Sequence, residues 1–156
     1  MNLSVAEAVD AGDVALAREL FVEYASSLGT DLCFQHFEQE LASLPGAYAP
    51  PRGRLLLGRA DEELAGCIAM RPLSEDICEM KRLYVRPACR SRGTGRRLVE
   101  SIIQAAKDVG YDRMRLDTLP EMAAAQRLYR ELGFHPIAPY CQNPIKGTEF
   151  LELVLA

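Results

Sequence analysis

The chain has 156 residues, enough for one domain around one core, and its 49% hydrophobic and 26% charged content is ordinary for a globular protein. A formal net charge of −4 and a pI near 5.3 argue against a general nucleic-acid binder, and no run approaches the ~20 apolar residues that cross a bilayer. Met1 to Asp10 lacks a basic stretch followed by an apolar one, so no secretory leader is predicted. Five cysteines without CxxC spacing predict reduced thiols and a cytoplasmic protein, and two histidines outside any ligand motif predict no metal site.

Leu3 to Val9 alternates weakly and predicts a first strand. Asp10-Ala11-Gly12-Asp13 supplies helix-capping side chains, and Val14, Ala17, Leu20, Phe21, Tyr24 and Leu28 follow at helical spacing, with Gly29 as the stop. A second helical run carries Phe34, Phe37, Leu41 and Leu44 and ends before Pro45. His36 falls beside that stripe as a surface or core-edge residue. Gly46 to Gly53 is loop-like, either a plain connection or a wall of a substrate site. Arg54 to Arg59 and Glu63 to Arg71 read as an antiparallel hairpin about Asp61-Glu62-Glu63. The second strand is apolar or small on both faces, so it is expected to be central.

Ile77 to Val85 is the next strand, stopped by Pro87. A short basic loop follows, Arg90-Ser91-Arg92-Gly93-Thr94-Gly95, and an amphipathic helix with Leu98, Val99, Ile102, Ile103, Ala106 and Val109 begins at once, closed by Gly110. The first turn of a helix carries N–H groups without intrahelical partners and a partial positive charge. Glycines let a ligand approach them, and Arg90, Arg92, Arg96 and Arg97 add cations, so the turn suits a phosphate or pyrophosphate. Arg113 to Leu119 is a strand, completing a strand–helix–strand crossover. Pro120 and Glu121 open a further helix with Met122, Ala125, Leu128, Tyr129 and Leu132 on one face. Gly133 ends it, Phe134 begins a strand, and Thr148 to Leu155 is the last strand.

Arg90-x-x-Gly93-x-Gly95 behind Leu83-Tyr84-Val85-Arg86-Pro87 resembles the acetyl-CoA-binding motif of the GNAT superfamily of N-acetyltransferases. Ala125-x-x-Leu128-Tyr129-x-x-x-Gly133-Phe134 resembles the second signature of that family, with Met122 where the pattern has asparagine. The resemblance implies an α/β (α+β) fold over residues 1–156, with a mixed, mostly antiparallel central sheet of six to seven strands flanked by about four helices. It implies an N-acetyltransferase with acetyl-CoA as cosubstrate, which transfers the acetyl group directly to a primary amine of a small molecule, amino acid or peptide, and pairing of copies through sheet edges or the C-terminal strand. It places cofactor contacts at Leu83, Tyr84, Val85, Arg90, Ser91, Arg92, Gly93, Thr94, Gly95, Arg96 and Tyr129, with the amide of Leu83 or Val85 meeting the thioester carbonyl. The Met122 departure removes one polar contact that many members make to the pantetheine arm.

Tyr129 matches the tyrosine of the second signature, and the resemblance makes it the candidate general acid; a phenol of ordinary pKa about 10 is protonated at neutral pH and can donate to a thiolate. The alternative is a core aromatic in the Leu128–Leu132 stripe. Glu79 is the candidate base. It lies on the same strand an even number of residues from Leu83 and Val85, so all three are expected to share a face; the alternative is a solvated or ion-paired carboxylate beside Lys81 or Arg82. Cys89, with no histidine evidently paired to it, reads as structural. For the acceptor, loop residues Tyr48, Tyr140 and Asn143 are candidates, and Arg52, Arg54 and Arg71 would favour a carboxylate-bearing amine where acidic residues would favour a cationic one. A non-catalytic acetyl-CoA-binding module stands as the alternative function.

Overall fold

A computed structural model describes residues 2–28 and 36–156. Gly29 and Phe34, named above, lie outside the described residues. In chain order the elements are β1 (Leu3–Glu7), α1 (Ala11–Ser27), α2 (Phe37–Ser43), β2 (Arg54–Ala60), β3 (Glu63–Pro72), β4 (Ile77–Val85), α3 (Thr94–Val109), β5 (Arg113–Thr118), α4 (Ala123–Glu131), β6 (His135–Pro136) and β7 (Glu149–Val154). This is the predicted order. Asp10 caps α1 by accepting from the Asp13 amide at 2.8 Å. The last long helix starts at Ala123 rather than Pro120, because Pro120 and Glu121 lie in the turn and Met122 takes the position before the first helical residue.

Seven strands among the described residues form one sheet in the order β1-β2-β3-β4-β5-β7-β6. All neighbours are antiparallel except β4 and β5. The β4–α3–β5 crossover accounts for the exception, since a parallel pair needs a long connection. β3 is buried over six consecutive residues, as a central strand covered on both faces must be.

The sheet separates two apolar layers. On one face Leu98, Val99, Ile102 and Ala106 of α3 pack with Ile68, Met70, Cys78, Met80, Met114 and Leu116. On the other, Ala17, Leu20 and Phe21 of α1 pack with Tyr48, Leu55, Leu57, Cys67 and Ala69. Gly58 and Gly66 oppose one another in the β2–β3 ladder beneath Leu98. A side chain on Gly66 would stand 2.3 Å from the Tyr84 carbonyl oxygen, so only glycine lets β3 and β4 approach this closely beside the site.

Candidate active site

β4 does not run straight. Between Lys81 and Tyr84 it carries one residue more than the facing stretch of β3, Cys67 to Ala69, and Arg82 takes the left-handed conformation at φ 63°. This is a β-bulge, which bends the strand and reverses its alternation. Cys78 and Met80 face the α3 layer before the bulge, and Leu83 and Val85 face it afterwards. Glu79 and Lys81 therefore point to the α1 side, where Tyr84 also points. The expectation that Glu79 shares a face with Leu83 and Val85 is corrected here: it would hold only for an unbroken strand.

The bulge coincides with the parting of β4 from β5. These strands pair only over Ile77–Glu79 against Arg113–Arg115. Beyond that point Lys81, Leu83, Asp117, Met122, Tyr129 and Asn143 line a gap between them. Among the described residues no strand pairs with β4 on that side beyond Glu79, which leaves its backbone groups there available to a ligand. The gap opens into a groove of about 590 Å³ that runs past Leu83, Tyr84, Val85, Arg90, Ser91 and Gly95 and along the start of α4 at Met122–Ala125.

The basic loop ends the groove. Ser91 and Gly93 adopt positive φ of 63° and 84°, and the chain turns there into α3. A Cβ on Gly95 would meet only Val85 and Leu128, at ordinary contact distances of 3.8 and 3.9 Å. The predicted loop residues divide by role. Thr94 is buried, its hydroxyl donating to the Cys89 carbonyl at 3.4 Å, and so holds the turn. Arg90 donates from Nε to the Val85 carbonyl at 2.9 Å. Arg96 points away to an ion pair with Glu131 at 2.5 Å. Arg92 and Gly93 are exposed at the loop. Tyr84 lines the groove, and its hydroxyl donates to Glu23 of α1 at 3.3 Å. Cys89 is buried with Ala60 and Ala65, in agreement with a structural role.

Tyr129 is 4% exposed and lines the gap, its ring tilted against Phe134 at 5.7 Å. Burial pushes its phenol above the usual range, so it stays protonated. Glu79 is 1% exposed. Its Oε1 accepts from Arg71 Nε and Nη2, both at 2.9 Å, and its Oε2 accepts from the Tyr140 hydroxyl at 2.6 Å. Arg71, on the neighbouring strand, is thus its ion partner, in place of Lys81 or Arg82. Burial, then the Glu79 charge, push the Tyr140 phenol far above its usual range. Arg82 turns to α2, where Glu40 holds it in a two-point pair at 2.8 and 3.0 Å.

Three further residues line the gap that no motif marks as site groups: Tyr24 of α1, Lys81 and Asp117. For Lys81 a signal existed, since a lysine within a strand whose neighbours are buried requires a reason.

A splayed parallel pair, a bulge at the gap and a glycine turn opening a helix define the acyl-CoA N-acyltransferase class of fold. Residues 15–134 match the acetyltransferase (GNAT) family. An uncharacterized N-acetyltransferase of Schizosaccharomyces pombe is 39% identical over 99% of this chain and 96% of its own. A GNAT-family acetyltransferase from Staphylococcus aureus superposes with a TM-score of 0.80 at 18% identity, covering 99% of this chain and 100% of the other. A GNAT-family acetyltransferase from Elizabethkingia anophelis, solved with acetyl-CoA bound, does so with a TM-score of 0.72 at 20% identity, covering 99% of each. The chain belongs to the GNAT family and is an N-acetyltransferase by class.

Proposed function

We propose that this protein transfers the acetyl group of acetyl-CoA directly to a primary amine of a small molecule, an amino acid or a peptide. The observation that carries the reading is the continuity of the groove with the gap: the anion-suited turn at one end leads to unpaired β4 backbone and Tyr129 at the other. The pyrophosphate lies on the amides at Ser91 to Arg96, beside Arg90 and Arg92. The pantetheine arm runs along Leu83 to Val85 past Met122, whose thioether offers no strong polar contact. An amide of Leu83 or Val85 donates to the thioester carbonyl oxygen as charge develops there.

The neutral amine attacks the carbonyl carbon, the C–S bond breaks, and the coenzyme A thiolate takes the proton of the Tyr129 hydroxyl. The proton lost by the amine passes to the acceptor side of the gap and returns to Tyr129 through solvent. Glu79 is the fixed negative charge on that side. Its Oε1 receives both bonds from Arg71 and its Oε2 one from Tyr140, which fixes its position and leaves a lone pair on Oε2 to take the proton, directly or through water. Tyr129 in the gap favours a transferase over a module that only binds acetyl-CoA. The reading includes a single cytoplasmic domain, with paired copies meeting through the sheet edges β1 or β6.

The test is calorimetric titration with acetyl-CoA, repeated on Gly95→Asp. The room around Gly95 and the preference of a helix's first turn for an acidic residue keep the variant folded. Its carboxylate opposes the pyrophosphate, and affinity is expected to fall by about tenfold or more, near 1.4 kcal/mol. Unchanged affinity would remove the turn from the cofactor site. No binding by the unaltered protein would end the acetyltransferase reading.

A further inference from the structure

The charges on the α1 side of the gap are mostly neutralised within the protein. Glu79 is held by Arg71, Arg82 by Glu40 and Arg115 by Glu152. Lys81 and Asp117 differ. Lys81 is 9% exposed and, among the described residues, makes no hydrogen bond or ion pair. Among the described residues, the Asp117 carboxylate receives one hydrogen bond, from Asn143 Nδ2 at 3.1 Å, and forms no ion pair. Both line the gap, Lys81 from β4 and Asp117 from β5, and their alternation with Met80, Leu116 and Thr118 puts both on the side away from α3.

A buried ammonium without a counter-ion destabilises the fold that holds it. Burial is the main influence on Lys81 and lowers its pKa. Glu79 and Asp117 act against that, while Arg82 and Arg71 add to it. A lysine that opposes folding, has no hydrogen-bonded or ion-paired partner among the described residues and borders the reaction gap is explained by a ligand that brings a negative charge into direct contact with it.

We infer that the acceptor is an amine carrying its own carboxylate, of the amino-acid class, with its carboxylate bound at Lys81 and its amine directed to Asp117. The inference rests on the transferase reading above and gives it a substrate class. The zwitterion supplies a counter-ion to each of the two charges that lack one, and its amine lies beside the Leu83 backbone where the thioester carbonyl is placed.

The experiment uses matched acceptors: alanine with ethylamine, phenylalanine with phenethylamine, lysine with cadaverine. Thiol release from acetyl-CoA is followed for the unaltered protein and for Lys81→Met. At least one amino acid should be preferred over its matched amine by about 30-fold or more in kcat/KM, the effect of one buried charge pair, and that preference should collapse towards parity in Lys81→Met. Thermal denaturation gives a second readout. Removing an unpaired buried ammonium should raise Tm by about 2–4 °C, whereas a structural lysine would lower it. The inference is overturned if the preference survives Lys81→Met, if only amines without carboxylates are accepted, if acetyl-CoA binds and no member of the panel is acetylated, or if Lys81→Met melts lower or fails to fold. Absence of acetyl-CoA binding in the calorimeter would instead mark the failure of the transferase reading itself, and the inference falls with it.

Discussion

Tyr129→Phe is expected to lower kcat by about 100-fold or more while acetyl-CoA affinity is retained, the usual range for losing a positioned proton donor. The substitution removes one oxygen and keeps the ring, so the packing against Phe134 at 5.7 Å survives. If Tyr129 were only a core aromatic, turnover would be untouched, because phenylalanine fills the same space at least as well. Steady-state thiol release with any accepted amine, alongside calorimetric titration of acetyl-CoA, separates the two cases. The pH profile adds a check with a definite sign. Burial raises the phenol's pKa above its usual value near 10, so the acid form persists as pH rises and Tyr129 contributes no fall in rate between neutral pH and 10. A tenfold drop from Tyr129 across that span would contradict the buried phenol described here.

The second large effect is structural and acts through the bulge. Arg82→Ala is expected to destabilise the protein by about 3 kcal/mol, because removing one member of a buried ion pair leaves the other uncompensated. The Arg82 side chain is 3% exposed and its partner Glu40 14% exposed, so water replaces little of what is lost. Its guanidinium also lies over the Phe37 ring at 5.3 Å, which ties α2 to β4. For a chain of this size the loss corresponds to a fall in Tm of roughly 6–12 °C. Since Arg82 is the residue at positive φ, its loss should also loosen the backbone that presents Leu83 to Val85, and kcat should fall along with stability. A melting temperature within about 2 °C of the original would show that the pair contributes no more than an exposed one does.

The long elements were legible because each carries a local pattern with one physical solution. α3 places Leu98, Val99, Ile102 and Ala106 on one stripe, and Gly110 at φ 104° closes it, as a glycine at that position does. β3 shows continuous burial because both faces are small or apolar. The glycine turn and the Leu128-Tyr129 pair were found as short spacings, and the structure brings both to one groove and gap. The face of Glu79 was misjudged because the reversal depends on a single arginine at positive φ, and arginine carries no local preference that announces it. Nor could the partners of Glu79 be read. Arg71 and Tyr140 lie 8 and 61 residues away in the chain, and only the strand register and the return of the loop before β7 bring them together.

The kinds and order of the elements, the glycine turn at a helix N-terminus and the phenol of the second motif all follow from the sequence. These follow from periodicity, from residues able to adopt positive φ, and from spacing, all of which act over a few neighbouring residues. The insertion of β7 between β5 and β6, the separation of β4 from β5 after three paired residues, and the placing of Lys81 and Asp117 at the resulting gap without an ion pair among the described residues come from the tertiary structure. Strand order, splay and charge compensation depend on groups far apart in the chain, whose interaction is set by burial and by register once the whole sheet has formed.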